Sequence, residues 1–220
     1  LRARRVVLAV APGLLGASGA VCFQPPLPIA RQHMAQRLFM GCYTKFIVYY
    51  AESFWRTRGF SGEAVCTRPS TKFPVLAVYD YCGPDGAHPA LACFITGDMA
   101  MFLAQQSAGM YVAVVTWCCV DEAERLVVAS LVRLYGSEAQ CPTALLSKAW
   151  SKDPFAHGCP VNIFPAGAFS RYSNLIRKPF GLLHWAATET ATEWNGYMEG
   201  ALQAAERAAK EVSAALSATE

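Results

Sequence analysis

The most informative segment of this chain is Trp185-Ala-Ala-Thr-Glu-Thr-Ala-Thr-Glu-Trp-Asn-Gly-Tyr-Met-Glu-Gly200. It is polar and rich in threonine, and it leads into a segment from Tyr197 to about Ser217 whose apolar residues recur with helical spacing. Those apolar residues are Met198, Ala201, Leu202, Ala205, Ala208, Ala209, Val212 and Leu216. The pattern predicts a polar loop followed by an amphipathic helix, with Asn195 as its N-cap.

The rest of the chain contains both strand-like and helix-like segments. Strands are predicted by short apolar, β-branched or aromatic runs at Arg5–Pro12, Lys45–Tyr50, Val75–Tyr81, Ala90–Thr96 and Leu182–Trp185. Helical spacing predicts helices at Ile29–Leu38 and Glu122–Tyr135, and glycine and proline predict a loop over Gly158–Phe169. Since neighbouring strands and separate helices occur together, we expect a mixed α/β (α+β) fold.

Composition narrows the class of protein. The chain has 220 residues, of which 54% are hydrophobic and 16% charged, which is typical of a globular protein and not of a disordered one. The formal charge of +3 and the scattered basic residues argue against nucleic acid as a partner. The nine cysteines include no CxxC pair, which disfavours a zinc site and favours a reducing compartment.

Two uncharged runs have more than one interpretation. The run from Val6 to Phe23 follows basic residues as in a signal peptide, but Pro12 and Gly13 favour a strand and a turn. The run from Met99 to Val120 has the length of a membrane span, but Gln105, Gln106, Ser107 and Gly109 interrupt it and disfavour that alternative.

Three glycines after the first predicted strand imitate a dinucleotide-binding loop. Gly13, Gly16 and Gly19 have the spacing GxxGxxG, whereas that loop requires GxGxxG. The acidic residue expected about 20 positions later is also replaced, by Phe39 and Met40. We therefore expect an ordinary turn here and no phosphate-binding loop in this part of the chain.

The opening stretch resembles the flavin-contacting segment of the monoamine oxidases, which share its Thr-Glu-Thr-Ala-Thr run, its Gly-Tyr-Met-Glu-Gly and the following Glu206-Arg-Ala-Ala209. Other segments resemble the same family in the same order. They are Pro25-Pro-Leu-Pro28, Lys45-Phe-Ile-Val-Tyr-Tyr50 with Phe54-Trp55, and Trp150 followed by Gly158-Cys159 and Phe164-Pro165.

The resemblance implies part of a two-domain, FAD-dependent fold. It assigns residues 1–24 and 151–220 to the FAD-binding domain and residues 25–150 to the substrate-binding domain, with residues 107–120 resembling an insertion. The Rossmann unit of the family would lie upstream, so we expect this chain to be the C-terminal portion of a longer protein.

The resemblance also implies roles for individual residues. Cys159 would bind FAD covalently, and the other expected cofactor contacts are Val10, Trp150, Glu189, Gly196, Tyr197 and Met198. Lys45 would hold a water near the flavin, and Tyr197 would form one wall of an aromatic cage. Phe94 and Tyr79 are the candidates for the substrate cavity.

The implied reaction is the oxidation of a primary amine by molecular oxygen to aldehyde, ammonia and hydrogen peroxide. Alternatives are a truncated, non-catalytic homologue that serves as a binding module, and a related polyamine or amino-acid oxidase. The resemblance leaves open a homodimer, a membrane anchor beyond Glu220 and a place at the mitochondrial outer membrane. Two departures from the family are Pro160, which replaces the second cage tyrosine, and Ala187, which replaces a glycine.

Overall fold

The computed structural model describes residues 2–16, 21–106, 111–113 and 121–218. The chain forms two compact units: a terminal unit, Leu1–Gly41 with Pro160–Glu220, and a central unit, Cys42–Cys159. The sequence interpretation placed the divisions at 24/25 and 150/151 instead. The assignment of these parts to FAD and to substrate stays a prediction.

The described residues form ten strands and six helices. The strands are β1 (Val6–Leu8), β2 (Phe39–Met40), β3 (Tyr43–Tyr49), β4 (Ala64–Val65), β5 (Ala77–Asp80), β6 (Ala90–Thr96), β7 (Tyr111–Ala113), β8 (Ala144–Ala149), β9 (Asn162–Ile163) and β10 (Leu183–Trp185). The helices are α1 (Ile29–Arg37), α2 (Phe54–Thr57), α3 (Gly97–Gln106), α4 (Glu122–Tyr135), α5 (Ala168–Arg177) and α6 (Met198–Ser217). Together they confirm the mixed α/β class.

The central unit is built on one antiparallel sheet with the strand order β4-β5-β6-β3-β8-β7. Burial alternates along β3, so that Thr44, Phe46 and Val48 face the core while Lys45 and its alternate neighbours stay half-buried. This alternation is the two-residue period of a strand with one covered face. The half-buried face of the sheet is therefore free to carry polar and aromatic side chains.

Helix α4 contributes Val127, Leu131 and Tyr135 to the core of the central unit. A reciprocal capping box fixes its first turn: the Asp121 carboxylate accepts from the Glu124 amide at 2.9 Å, and the Glu124 carboxylate accepts from the Asp121 amide at 3.1 Å. This arrangement satisfies two amides that the helix itself leaves unpaired. The bounds predicted from sequence for this helix are confirmed.

The terminal unit contains two small sheets, one pairing β1 with β10 in parallel and one pairing β2 with β9 antiparallel. The buried Arg31 guanidinium connects its elements, since it donates to the carbonyls of Leu175 and Lys178 and stacks 4.1 Å from the Trp185 ring centre. Burial lowers the pKa of Arg31 to about 10. Helix α1, helix α5 and strand β10 are thus held by one side chain.

The glycines of the GxxGxxG pattern that the structure describes serve close packing. A Cβ atom on Gly13 would lie 2.6 Å from Asn162 Nδ2, and one on Gly16 would lie 2.8 Å from the Ala35 main chain. The Gly13 amide also donates to Asn162 Oδ1 at 2.8 Å. The turn predicted here is a short 3₁₀ helix over Pro12–Leu15, and Gly19 lies outside the described residues.

Several sequence predictions need correction. Strand β1 is shorter than Arg5–Pro12 and is not buried as predicted: Val6 and Val7 are exposed, and Val7 lines a cavity. The predicted loop over 158–169 contains β9 and the start of α5, and β8, α3 and α5 were not predicted. The uncharged run Met99–Val120 contains most of α3 and all of β7. The other residues of this run, 107–110 and 114–120, lie outside the described part of the chain. Among the described helices, none is long and apolar enough to cross a membrane.

Candidate functional site

The loop before α6 is fixed by the side chain of Thr188. Its hydroxyl accepts from the Gly196 amide at 2.9 Å and donates to the Tyr197 carbonyl at 2.8 Å. The predicted N-cap at Asn195 is wrong, because α6 begins at Met198 and Tyr197 is its N-cap. The side-chain amide of Asn195 donates instead to the Glu189 carbonyl at 2.8 Å. Asn195 therefore fastens the loop rather than the helix end.

Two glycines allow this loop to approach its neighbours closely. Gly196 has a φ of +87°, which favours glycine, and a Cβ there would lie 3.0 Å from Val161. A Cβ on Gly200 would lie only 2.2 Å from the Trp194 carbonyl oxygen. The two glycines of the Gly-Tyr-Met-Glu-Gly sequence are thus required by the geometry of the turn into α6.

Two arginines hold the Thr188–Thr190 turn from both sides. Arg177 in α5 donates to the carbonyls of Thr190 and Ala191 at 2.9 and 3.1 Å. Arg207 in α6 donates to the Thr190 hydroxyl at 2.9 Å and to the Trp185 carbonyl. Hydrogen bonds from two helices therefore hold this turn.

A cavity of about 590 Å³ opens beside this loop, within the terminal unit. Small side chains form most of its lining, which consists of Val7, Ala9, Ala11, Met40, Pro160, Ala186, Ala187, Thr188, Glu189, Ala201, Ala205 and Ala209. Its volume is in the range of small-molecule sites. The cavity is therefore large enough to hold part of a planar cofactor against backbone and methyl groups.

Glu189 is the carboxylate of this cavity. It is 2% exposed, and its Oε1 atom accepts from the Asn162 amide at 3.0 Å. Val10 was predicted to contact the cofactor, but its neighbours Ala9 and Ala11 line the cavity while Val10 is itself exposed. Sequence analysis placed Ala201, Ala205 and Ala209 on the apolar face of the final helix, but it did not assign that face to a cavity.

Tyr197 and Met198 present their side chains at the start of α6. They are 66% and 87% exposed, and the Tyr197 ring meets the Trp194 ring edge-on at 5.9 Å. Exposed aromatic and thioether side chains at a rigid helix start are suited to contact a ligand. The structure places Glu189, Gly196, Tyr197 and Met198 in one loop-and-helix segment of the terminal unit.

In the central unit, the structure brings Lys45, Phe94 and Tyr79 together on the half-buried face of the sheet. The Lys45 ammonium lies 5.6 Å from the Phe94 ring centre and 4.9 Å from that of Tyr81. Tyr79 meets Phe94 edge-on at 5.8 Å. Tyr81 was missed, although its position two residues after Tyr79 put it on the same face.

Lys148 and Asp153 were also missed by the sequence analysis. Lys148 lies directly opposite Lys45 in the β3–β8 pairing, and its ammonium is 5.0 Å from the Trp150 ring centre. Asp153 accepts from the Lys148 ammonium at 2.7 Å. No short-range sequence signal identifies this pair as part of the Lys45 face, because strand β8 lacks a clear alternating pattern.

Cys159 is a partly buried free thiol at the end of the central unit. Burial raises its pKa to about 11, Cys42 nearby raises it too, and a hydrogen bond with the Tyr43 main chain lowers it. The resting side chain is therefore a protonated thiol at neutral pH. Among the described residues, no group of three or more metal-ligating side chains occurs.

Comparison with known proteins identifies the family. Residues 1–213 match the family model described as flavin containing amine oxidoreductase. The chain is 37% identical over 216 residues to the flavin-containing amine oxidase of Danio rerio, covering 98% of this chain and 38% of that protein. It is 34% identical to flavin-containing amine oxidase B of Bos taurus over 209 residues, covering 94% of this chain and 37% of that protein.

Solved structures of similar fold are also amine oxidases. The cyclohexylamine oxidase of Brevibacterium oxydans has a TM-score of 0.83 and 30% identity, with 99% of this chain and 44% of that chain covered. Putrescine oxidase bound to putrescine has a TM-score of 0.79 and 26% identity, with 95% of this chain and 42% of that chain covered.

The chain that forms this Thr-Glu-Thr loop and alanine-lined cavity thus matches a flavoprotein family along almost its entire length. The chain belongs to the flavin-containing amine oxidoreductase family, and membership implies FAD as the cofactor. It spans about two fifths of the length of the relatives it matches.

Proposed function

We propose that the protein carrying this chain oxidises primary monoamines: an amine, dioxygen and water give an aldehyde, ammonia and hydrogen peroxide. The observation that carries the proposal is the cavity of the terminal unit, in which the family's Thr-Glu-Thr loop and the start of α6 form one wall. FAD supplies the two-electron chemistry when bound. The chain supplies position, electrostatics and exclusion of water.

The terminal unit has the features needed to hold the flavin. The cavity wall formed by Ala201, Ala205 and Ala209 leaves room for a flat ring, and Glu189 adds a buried acceptor. The amides at the start of α6 are the positive end of a 20-residue helix, which stabilises negative charge on a bound group. Ala187, which stands in place of the family's glycine, lines the same cavity.

We further propose that Cys159 carries the flavin covalently. Attachment would replace the S–H bond of Cys159 and one C–H bond of the flavin 8α-methyl group by an S–C bond. The two protons and two electrons released would reduce dioxygen to hydrogen peroxide, so the step balances. Cys159 is a partly buried free thiol, which is compatible with this role.

The half-buried face of the central sheet would then hold the amine. Lys45 is fixed over two aromatic rings, so its N–H groups are positioned to donate to a water and, through it, to a reacting group. Phe94, Tyr79 and Tyr81 supply an aromatic surface for an apolar substituent. The Lys45 ammonium on this face disfavours the second ammonium of a diamine, whereas the charge of Lys148 is compensated by Asp153.

Tyr197 would form one wall of the cage around the substrate nitrogen, and its 66% exposed side chain is available for that contact. Pro160 stands where the family has the second tyrosine. A ring-shaped aliphatic wall excludes water but lacks the π-face that attracts a cation. We therefore expect weaker binding of the protonated amine than in relatives with two aromatic walls.

The test uses the full-length protein. Acid precipitation should leave yellow flavin in the protein pellet, and Cys159→Ser should release it to the supernatant while Cys141→Ser, at an exposed thiol, should not. Peroxide release should be faster with benzylamine or tyramine than with putrescine. A colourless wild-type pellet would contradict covalent attachment, and absence of peroxide with every amine would favour a non-catalytic homologue.

A further inference from the structure

Asp153 lies six positions before Cys159, and its carboxylate accepts three hydrogen bonds. Its Oδ2 atom accepts from the Lys148 ammonium at 2.7 Å. Its Oδ1 atom accepts from the amides of Phe155 and Ala156 at 3.0 and 2.9 Å. One carboxylate thus joins strand β8 to the turn that leads to the cysteine.

The main chain of Asp153 adds to the same turn. Its amide donates to the Trp150 carbonyl at 3.1 Å, and its carbonyl accepts from the His157 amide at 3.0 Å. The chain then passes through His157 and Gly158, with φ values of +52° and +144°, and arrives at Cys159. Glycine adopts the positive φ of Gly158 readily, but the positive φ of His157 is disfavoured for a residue with a side chain, so the turn needs fixed contacts to hold its shape.

Lys148, the partner of Asp153 in strand β8, is also held by specific contacts. Lys148 lies in β8 directly opposite Lys45 and stacks on Trp150, so the ammonium that binds Asp153 belongs to the proposed substrate face. The hydrogen bond from Lys148 and then those from Ala156 and Phe155 lower the pKa of Asp153 to about 2. The carboxylate is therefore charged throughout the working pH range.

We propose that Asp153 is a positioning residue for Cys159: by tying the 153–158 turn to Lys148, it holds the thiol against the Tyr43 main chain. The consequence for covalent flavin attachment depends on the function proposed above, whereas the position of the thiol does not. Without the carboxylate, two amides and one ammonium lose their acceptor. The turn would then open and Cys159 would sample many positions.

The experiment compares Asp153→Ala, Asp153→Asn and Lys148→Met with Asp85→Ala, a control at an exposed aspartate of another turn. The readout that does not depend on flavin is the rate of Cys159 alkylation by iodoacetamide in flavin-free full-length protein, mapped by peptide mass. The second readout is the fraction of flavin that stays with the protein in acid after reconstitution. Circular dichroism checks that each variant is folded.

Asp153→Ala should speed alkylation of Cys159 by about tenfold, since charge-assisted hydrogen bonds are lost from the turn. Lys148→Met should give a smaller increase, and Asp153→Asn should stay nearer to wild type because it keeps an oxygen for the two amides. The covalent fraction should fall in the same order. Unchanged alkylation in folded Asp153→Ala would overturn the proposal. Faster alkylation without covalent flavin in the wild type would confirm the positioning role and refute attachment.

Discussion

Lys45 and Lys148 occupy directly opposed positions on neighbouring antiparallel strands, on the same half-buried face of the central sheet. Like charges placed opposite each other destabilise a sheet. Each is compensated differently: Lys45 lies over the rings of Tyr81 and Phe94, while Lys148 is paired with Asp153 at 2.7 Å. This arrangement leaves the Lys45 N–H groups available for a ligand and uses Lys148 for structure.

Replacing Lys45 should therefore affect turnover more than folding. Lys45→Met keeps the aliphatic stem between the rings and removes the ammonium, and we expect kcat/KM for benzylamine to fall by about a hundredfold, as for a positioned proton donor. Steady-state peroxide release measures the effect, with Lys72→Met at an exposed position as the control. A variant with wild-type kcat/KM would remove Lys45 from the proposed site.

The raised pKa of Cys159 predicts the pH dependence of flavin attachment. Because the thiolate is the nucleophile and the pKa is about 11, the thiolate fraction increases as pH rises. The initial rate of covalent incorporation into flavin-free protein should grow by about tenfold per pH unit between pH 7 and 9. Acid-resistant flavin absorbance measured over time gives this rate. A rate that levels off below pH 8 would mean that bound cofactor lowers the thiol pKa.

Gly200→Ala tests the geometry at the start of α6. The added Cβ would lie 2.2 Å from the Trp194 carbonyl oxygen, which belongs to the backbone and cannot move easily. We expect a loss of about 1–3 kcal/mol in the free energy of unfolding, typical of overpacking, even though alanine favours helices. Urea denaturation measures the loss, and Lys210→Ala at an exposed position of α6 is the matched control. Equal stability of the two variants would contradict the close approach.

Asp80 should make the central unit sensitive to acid. Burial alone would raise the pKa of Asp80, but hydrogen bonds from Arg56, Trp55 and Cys82 outweigh it and hold the pKa well below its usual value. A carboxylate with a lowered pKa in the folded state contributes stability above its unfolded pKa of about 4, and that contribution is lost as pH falls through the folded value.

Asp80→Asn should consequently destabilise the protein at pH 7 and flatten the loss of stability below pH 4. Thermal unfolding followed between pH 2 and pH 7 gives both effects. Asp98→Asn, at an exposed position, should keep the wild-type profile. A steep acid transition that persists in Asp80→Asn would assign it to other carboxylates.

Elements defined by short-range pattern were predicted accurately from sequence. Helix α4 and strand β6 have the predicted bounds, and α6 differs by one residue at its start. Their signals, a capping box within four residues and apolar periodicity, act between near neighbours in the chain. The family was also predicted, because the Thr-Glu-Thr, Gly-Cys and Lys45 segments resemble it in the same order, and the family match confirms it.

The sequence alone was sufficient to predict the α/β class, helices α1, α4 and α6, strands β3, β5 and β6, and the flavin-containing amine oxidoreductase family. The tertiary structure decided that Gly13 serves Asn162, 149 positions away, that Asn195 binds Glu189 instead of capping α6, and that Asp153 connects Lys148 to the turn before Cys159. Such contacts depend on strand register and on the path of turns with positive φ, which join distant residues. No local pattern encodes those distances, so only the folded chain could reveal them.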